Sequence, residues 1–282
     1  MDESAQFESL EETKERMMSV KKTIIVFVVA LIALGQAATS RADVLSGLVG
    51  RYSLEDTSVA GKELNSVTST WDATDANSTH MSRLVESGNS YLNFDGGQTG
   101  GYVVTPKFLS GEDSFTLAVW FRFSDTSVIK KMVCGDGAYT LSVESSGGSY
   151  AGKIRYKQLA GGSWSSDTAL LSDAAPSTDA WHHVAITYDG STALMYVDGV
   201  LQTKTLSDSG TLATAAGEYI AAYSGAHTEK WKGDLDEVRY YNRALSGTEV
   251  GSVYAAGVPE PATATLVAAG LAGILARRRR RG

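Results

Sequence analysis

The sequence is poor in cysteine. Cys134 is the one cysteine among 282 residues, so the chain cannot form a disulfide within itself. A lone cysteine is most often a small buried residue, and a catalytic thiolate needs a nearby base that no pattern here supplies. We predict that Cys134 is buried and unreactive.

Histidine is also scarce, with four residues. His182 and His183 are adjacent in a predicted strand, where consecutive side chains point to opposite faces, so they cannot chelate one metal ion. His80 and His227 stand alone in polar segments. No Ser-His-Asp spacing and no phosphate-binding loop is present either. The common hydrolase and nucleotide-binding patterns are therefore excluded.

Basic residues are few between the two ends of the chain. Residues 43–276 hold 15 Lys and Arg against 26 Asp and Glu, which gives this part a net charge of −11. A surface this acidic repels phosphate backbones, so we exclude nucleic acid as a partner. The same charge is compatible with divalent cations and with neutral polysaccharide.

Long apolar runs are confined to the two ends. Residues 262–276 carry no charge, and five arginines follow them. Fifteen helical residues span about 22 Å, so with a few preceding residues and some tilt the segment can cross a hydrocarbon core of roughly 30 Å. The arginines stay on the cytoplasmic side, which places the preceding domain across the membrane. An amphipathic surface helix is the alternative, but Thr263 and Thr265 offer little polar face.

Pro259, Glu260 and Pro261 precede this segment in "VPEP". The prolines keep the backbone extended and accessible to a processing enzyme. The motif, the apolar helix and the arginine cluster together resemble the PEP-CTERM sorting signal of Gram-negative bacteria. The resemblance implies that an exosortase-type cysteine transpeptidase processes the chain at or near these three residues. It also implies a transient inner-membrane stage, and then delivery to the cell surface or extracellular matrix.

The other apolar run lies near the N-terminus. Residues 24–34 follow Lys21 and Lys22 and precede the small-x-small sequence that ends at Ala42. This order is typical of a secretory signal peptide. We expect cleavage after Ala42, and residues 36–38 offer an alternative site.

The residues between these ends form short alternating apolar stretches separated by turns. The segment "FTLAVWFRF" predicts a central strand covered on both faces. Residues 181–188, 193–197 and 200–205 predict two hairpins that turn at Asp-Gly pairs. A short helix with a capping box of Ser246 and Glu249 follows. Many short strands with Gly-rich turns indicate an all-β sandwich.

A second resemblance covers about residues 47–254. The segments "YLNFDGGQTGGYVVTP", "SFTLAVWFRF", "WHHVAITYDGSTALMYVDG" and "GDLDEVRYYNRALSGTEV" occur in the order and spacing of a laminin-G-like domain with the concanavalin A-like jelly roll. The resemblance implies two packed antiparallel sheets and the binding of sugars, proteins or calcium. It does not fix a ligand, because this fold hosts many functions.

One enzyme group of this fold carries Glu-x-Asp-x-x-Glu or Glu-x-Asp-x-Glu on a strand, because a retaining glycosidase needs two carboxyl groups about 5 Å apart. The nearest segment here is "GDLDEVR". Asp234 and Asp236 share one face of that strand, and Val238 or Arg239 stands where the acid–base carboxyl is expected. We therefore predict a non-enzymatic domain, with a glycoside hydrolase as the alternative.

Three tryptophans lie in polar, loop-like surroundings: Trp71, Trp164 and Trp231. They are the candidate ligand-binding residues, because exposed aromatic rings stack on sugars; capping of the sandwich is their alternative role. Trp120 and Trp181 lie in strand patterns and are predicted to be core residues.

Calcium is the one cofactor that the sequence leaves open. Asp95, Asp136, Asp189 and Asp208 are loop acids beside Gly or Ser and are candidate calcium ligands. Turn formation explains these aspartates equally well.

The sequence thus predicts three segments. Residues 1–42 are an N-terminal extension and signal peptide, residues 43–254 a laminin-G-like jelly-roll domain, and residues 255–282 a PEP-CTERM sorting signal. A signal helix and a transmembrane helix would flank the sandwich. The predicted function is that of an exported surface or matrix protein that binds exopolysaccharide, another surface glycan or a protein. A purely structural surface protein is a further alternative.

Overall fold

The computed structural model of the chain describes residues 44–55, 61–86, 88–96, 99–125, 127–165, 170–223 and 229–257. The chain divides into two compact units, residues 1–46 and 47–282, and the description below concerns the second. The signal peptide with Ala42, the processing motif at Pro259, Glu260 and Pro261, and the predicted membrane segment lie outside the described residues. Within the described ranges, no helix is both long and apolar enough to span a bilayer.

Seventeen strands, one α-helix and a short 3₁₀ helix at Ser78–His80 make up the regular structure of the described ranges. The elements are β1 (Leu48–Tyr52), β2 (Lys62–Asn65), β3 (Thr70–Ala76), β4 (Met81–Glu86), β5 (Asn89–Asp95), β6 (Tyr102–Thr105), β7 (Phe115–Arg122), β8 (Lys130–Gly135), β9 (Tyr139–Val143), β10 (Ile154–Ala160), β11 (Ser163–Trp164), β12 (Leu170–Leu171), β13 (His182–Tyr188), β14 (Thr192–Val197), β15 (Val200–Ser207), β16 (Glu218–Ile220), β17 (Lys232–Tyr241) and α1 (Gly247–Ala256).

The strands form two antiparallel sheets. In the described part of the chain, the eight-stranded sheet has the order β15-β14-β13-β7-β17-β5-β4, with β1 also paired to β17. The nine-stranded sheet has the order β11-β10-β9-β8-β16-β6-β3-β2, with β12 paired to β10. The two inner faces share one apolar core that includes residues of β7, β9, β13 and β17. This architecture confirms the predicted all-β jelly-roll sandwich.

Strand β7 is the predicted central strand, and seven of its eight residues are buried. Its alternation sends Phe115, Leu117, Val119 and Phe121 into the core. Trp120 points the other way and is buried on the outer face of the eight-stranded sheet. The strand is therefore covered on both faces, as the sequence predicts.

Both predicted hairpins are present as β13–β14 and β14–β15. At the second turn Asp198 and Gly199 both have positive φ, at 50° and 77°, which is the conformation that a tight two-residue hairpin turn requires. His182 contacts the core ring of Phe121, while His183 contacts Trp120 on the outer face. The two histidines thus face opposite sides, as predicted.

Helix α1 covers part of the eight-stranded sheet. Its predicted capping box is present: the Ser246 hydroxyl accepts from the Glu249 amide, and the Glu249 carboxylate accepts from the Ser246 amide. The ring of Tyr254 stacks on Trp120 at 5.3 Å between ring centroids. Gly257 ends the helix so close to Trp120 that a Cβ there would lie 2.7 Å from Nε1. One outer face of the sandwich is therefore partly closed by its own chain.

Candidate functional site

The outer face of the nine-stranded sheet carries an open cleft, and strand β10 supplies its central side chains. Buried and partly exposed residues alternate along β10. The inward set includes Ile154 and Tyr156, which are core residues. Because side chains alternate along a strand, Arg155 and Lys157 lie together on the outer face.

Neighbouring strands complete this surface through antiparallel pairing. Lys157 lies opposite Thr140 on β9, and Leu159 lies opposite Trp164 on β11. Thr140 in turn lies opposite Cys134 on β8. These registers bring together residues from three hairpin-connected strands and the edge strand β11.

The cleft has a volume of about 430 Å³. Three cationic side chains and one carboxylate contribute to its lining, together with two aromatic residues and a threonine. The lining residues are Lys131, Thr140, Arg155, Lys157, Trp164, Tyr223 and Glu229. A cleft of this size and composition suits a small polar ligand or one short segment of a polymer.

Two of the three cations of the cleft, Arg155 and Lys131, are held in position by ion pairs. Arg155 Nε lies 3.0 Å from Glu144 Oε1, and the carboxylate of Glu144 is nearly buried. The Arg155 guanidinium also lies 5.0 Å from the ring centroid of Tyr150. Lys131 Nζ lies 3.4 Å from Glu229 Oε2. These contacts orient the charged groups before any ligand arrives.

Trp164 is 42% exposed, and Lys157 Nζ lies 5.7 Å from its ring centroid. This distance is near the outer limit of a cation–π contact. An exposed indole offers a flat apolar surface on which the hydrophobic face of a sugar can stack. The adjacent ammonium can donate a hydrogen bond to a hydroxyl or carboxylate oxygen. The pair is therefore chemically suited to a carbohydrate.

The structure separates the three predicted ligand-binding tryptophans. Trp164 lies at the cleft, although in a short strand rather than a loop. Trp231 was predicted to bind a ligand, and this prediction is wrong, because its side chain is fully buried against Phe121 and Phe123. Trp71 lies in strand β3, and its side chain lies outside the described residues.

The predicted core position of Trp181 also needs correction. Trp181 is half-buried at the surface and contacts Tyr91 at 5.2 Å between ring centroids. The guanidinium of Arg122 lies 5.0 Å from the Trp181 ring and 5.1 Å from the Tyr91 ring. Trp181 thus helps to position a surface arginine, whereas Trp120 is buried as predicted.

The carboxylate pair of strand β17 lies on the outer face of the opposite, eight-stranded sheet. Asp234 accepts from Arg122 Nε at 2.7 Å and from Asn93 Nδ2 at 2.6 Å. Asp236 accepts from Asn89 Nδ2 at 2.9 Å and from the backbone amide of Glu237 at 2.8 Å. Both carboxyl groups are therefore engaged by groups of the protein itself.

One carboxyl of the pair, that of Asp236, has a perturbed pKa. Burial raises the pKa of Asp236 to about 8, and its hydrogen bonds only partly oppose this effect. A carboxyl with a raised pKa beside a second carboxyl is the pattern of a glycosidase acid and nucleophile. However, Asp236 is 1% exposed. A substrate atom therefore has no access to this carboxyl in the folded domain.

The calcium candidates do not converge. Asp189 accepts from the amides of Ser191 and Thr192, which is the bonding of a turn-forming aspartate. Asp95 Oδ2 lies 2.7 Å from His80 Nδ1. Across the described ranges, no three His, Cys, Asp or Glu side chains meet where a metal ion could bind. The four aspartates therefore do not fit a shared calcium site.

Cys134 is fully buried, as predicted, beside the floor of the cleft. Burial raises the pKa of the thiol well above its ordinary value, so the thiolate form is disfavoured. Cys134 Sγ lies 3.1 Å from the carbonyl oxygen of Tyr139. The residue packs against its neighbours and has no nucleophilic character.

A family model described as the concanavalin A-like lectin/glucanases superfamily, of laminin-G type, matches residues 94–251, more than half of the chain. The chain belongs to this superfamily. Strands β1 to β4 precede the matched residues and add two strands to each sheet of the laminin-G-like sandwich.

Solved structures share the laminin-G-like fold at low sequence identity. Domain 4 of AbnA, a GH43 extracellular arabinanase from Geobacillus stearothermophilus in complex with arabinotriose, is 14% identical with a TM-score of 0.56, over 74% of this chain and 98% of that chain. The ligand binding domain of botulinum neurotoxin serotype D in complex with N-acetylneuraminic acid is 11% identical with a TM-score of 0.58, over 77% of this chain and 52% of that chain.

A sialidase from Trypanosoma rangeli in complex with sialic acid is 21% identical, with a TM-score of 0.52, over 74% of this chain and 32% of that chain. The laminin-G-like chain thus corresponds to about half of the neurotoxin domain and a third of the sialidase. At these identities the likeness shows a common fold. No curated protein sequence matches the chain.

A second family model, the PEP-CTERM protein-sorting motif, matches residues 257–281. Both predicted resemblances are thereby confirmed. The motif indicates export and sorting toward the surface of a Gram-negative cell. It begins at Gly257, the residue that ends helix α1.

Sequence reasoning missed the cations of the cleft. A signal for two of them exists in "KIRYKQ", where basic residues alternate with apolar ones from Lys153 to Lys157. Such alternation predicts a strand with one basic face. Lys131 carries no comparable signal, because it reaches the cleft through strand pairing with residues distant in sequence.

Proposed function

We propose that this laminin-G-like protein is an exported surface or matrix component that binds polysaccharide through the cleft on the nine-stranded sheet. The observation that carries the proposal is the juxtaposition of the half-exposed Trp164 ring with the Lys157 ammonium at an open cleft. The indole would stack on a sugar ring, and the surrounding cations and Thr140 would bond its oxygens.

Two further observations support this proposal. The chain carries a sorting motif for the surface of a Gram-negative cell, where polysaccharide is abundant. Several solved structures of the same fold hold carbohydrates, namely arabinotriose, N-acetylneuraminic acid and sialic acid. These ligands belong to those proteins, but they make a sugar the best-supported ligand class for this chain.

The sorting steps form the second part of the proposal. A signal peptidase would cut after Ala42, and the apolar segment of residues 262–276 would hold the chain in the inner membrane. An exosortase-type enzyme would then process the chain near Pro259, Glu260 and Pro261. The mass of the mature protein tests both cuts. We expect a product that begins at Asp43 and lacks Arg277 to Arg281, and an intact product in the cytosol would contradict the proposal.

We further propose that the domain binds without cleaving. Asp236 is inaccessible, and Asp234 is engaged by Arg122 and Asn93. Incubation with a panel of polysaccharides should release no reducing sugar. Release that disappears in Asp236→Asn would instead establish a glycoside hydrolase.

Binding itself is tested on a glycan array with the mature domain. We expect wild type to bind a defined set of glycans and Trp164→Ala to lose them. Leu201→Ala is the matched control, because Leu201 is 50% exposed on strand β15 of the other sheet. If wild type binds nothing on an array that includes acidic polymers, the protein is a purely structural component and the proposal fails.

A further inference from the structure

We propose that the polysaccharide bound by this cleft is anionic, with carboxylate groups on its sugars. This inference rests on the proposed function and names the class of ligand. It also departs from the net charge of the domain, which by itself favours a neutral glycan.

The charge of the cleft is opposite to that of the domain. Between residues 43 and 276 acidic groups exceed basic groups by 11. Among the residues that line the cleft, three are cationic and one is a carboxylate; with Glu144 beside Arg155 counted as a second carboxylate, the cations still exceed the carboxylates by one. At physiological ionic strength, charges more than about 8 Å away are strongly screened. A sugar carboxylate in the cleft therefore senses Lys131, Arg155 and Lys157 more than the distant acidic surface.

The positions of the cations suit groups that recur along a polymer. Arg155 and Lys157 stand two residues apart on one face of β10, about 6.6 Å apart along the strand. Trp164 lies beside Lys157, so a sugar stacked on the indole brings its substituents near the ammonium. A carboxylate on that sugar would form a charge-assisted hydrogen bond, roughly twice as strong as one from a neutral hydroxyl.

A fourth cation lies elsewhere on the same outer face. Lys230 is 3% exposed, and among the described residues its Nζ has no hydrogen-bond partner. The ammonium lies 4.0 Å from the ring centroid of Tyr102, whose own ring contacts Tyr219. Burial lowers the pKa of Lys230. While it is protonated, this buried group adds positive potential to the face.

A nucleic acid strand is the competing polyanion, since it also combines negative charge with stacking. It carries a phosphate on every nucleotide and follows a long track of cations. Outside the cleft such a strand would meet a domain with excess negative charge. A glycan with more widely spaced carboxylates meets less of this repulsion, and the observations therefore favour it.

The test compares polymers that differ only in charge. Polygalacturonate, alginate and hyaluronate are each measured beside their carboxyl-reduced neutral forms by isothermal titration calorimetry with the mature domain, and oligo-dT is added as a nucleic acid. We expect at least one acidic polymer to bind about tenfold or more tightly than its neutral form. Raising the salt concentration from 150 to 500 mM should weaken the binding of the acidic polymer and leave the binding of the neutral form unchanged.

Variants assign this preference to the cleft. Lys157→Gln should reduce affinity for the acidic polymer about tenfold, and Lys157→Arg should retain it. Lys204→Gln is the matched control, because it removes the same charge from an exposed site on β15 of the other sheet. Arg155→Gln is a second test, but it leaves the buried Glu144 without its cation. If Arg155→Gln fails to fold for this reason, the result of Lys157→Gln alone decides whether the cleft carries the preference for the acidic polymer.

The outcomes separate the two claims. Equal affinity for acidic and neutral forms, with no effect of Lys157→Gln, overturns the anionic class and leaves polysaccharide binding intact. Absence of binding to all six polymers overturns the proposed function and this inference with it. If oligo-dT binds more tightly than every polysaccharide, the inference of an anionic polysaccharide is also overturned, in favour of a nucleic acid ligand.

Discussion

The two outer faces of the sandwich use similar residues in different ways. On the eight-stranded sheet, Trp120 is 3% exposed beneath Tyr254 of helix α1, and Arg122 is fixed between two rings and bonded to Asp234. On the nine-stranded sheet, Trp164 is 42% exposed beside a cleft with three cations. The type of residue therefore does not distinguish the two faces. They differ in whether the chain covers the aromatic ring.

The carboxylates show the same contrast. On the eight-stranded sheet, Glu237 lies between Arg51 and Arg239, and although burial acts to raise its pKa, the two guanidiniums lower it overall. At the cleft, Glu144 lies beneath Arg155 and Glu229 beside Lys131. On the eight-stranded sheet the ion pairs form a network closed within the protein. At the cleft they hold cations that border open space.

Removing Trp120 should produce the largest effect. It should disturb only the outer face of the eight-stranded sheet, which helix α1 covers and which we call the closed face. Trp120→Ala deletes the ring under Tyr254, and large-to-small changes at buried aromatic positions cost about 3–5 kcal/mol. We expect the free energy of unfolding, measured by denaturant titration, to fall by that amount. Affinity for polysaccharide, corrected for the folded fraction, should not change. Loss of affinity at full folding would mean that the two faces are coupled.

Asp236→Asn tests the pH dependence of the closed face. Folding raises the pKa of Asp236 to about 8 from its ordinary value of 3.8, so between these values the folded state holds a proton that the unfolded state has lost. The contribution of Asp236 to stability is therefore present at low pH and is lost as pH rises toward 8.

The difference in unfolding free energy between Asp236→Asn and wild type isolates this effect, since other titrating groups cancel. From pH 5 to pH 8 the variant should become more stable relative to wild type, by at most about 1.4 kcal/mol per pH unit. A difference that is flat with pH would show that Asp236 is ionised throughout in the folded domain.

Trp164→Ala should produce the opposite result to Trp120→Ala. Loss of a stacking surface at the centre of a site reduces affinity by about tenfold or more. Because the ring is exposed, the free energy of unfolding should change by about 0.5 kcal/mol or less. Calorimetric binding and thermal melts on one sample report both quantities. Unchanged affinity with lowered stability would reverse the assignment of the two faces.

Ser246→Ala should have the smallest effect. It removes the hydroxyl of the capping box and should lower the free energy of unfolding by about 1 kcal/mol. Since α1 carries Tyr254 over Trp120, the amides of residues 250–257 should also exchange faster with solvent. Equal exchange in variant and wild type would show that packing on Trp120 alone holds the helix.

The parts of the fold that the sequence predicted are those set by local patterns. The alternation in β7, the Asp-Gly turn at residues 198–199 and the capping box at Ser246 each depend on a few adjacent residues. Trp231 could not be placed in this way, because its neighbours are polar. Its burial follows from the position of the segment before β17, which packs the ring against two phenylalanines of another part of the chain.

The candidate site was predicted only through Trp164. The cleft joins residues of β8, β9, β10 and β11 with Tyr223 and Glu229, so it exists only after the strands pair. The cations of the cleft were missed for the same reason, since a net charge summed over the sequence cannot show that three cations gather on one face. The sorting motif, in contrast, is read directly from consecutive residues.

The central claim is that polysaccharide binds the outer face of the nine-stranded sheet. Amide and indole chemical shifts of the mature domain, recorded by NMR during titration with an acidic oligosaccharide, test this claim most directly. We expect the largest shifts on Arg155, Lys157 and the Trp164 indole. Shifts centred on Arg122, Asp234 and Trp181, with the cleft unchanged, would contradict it.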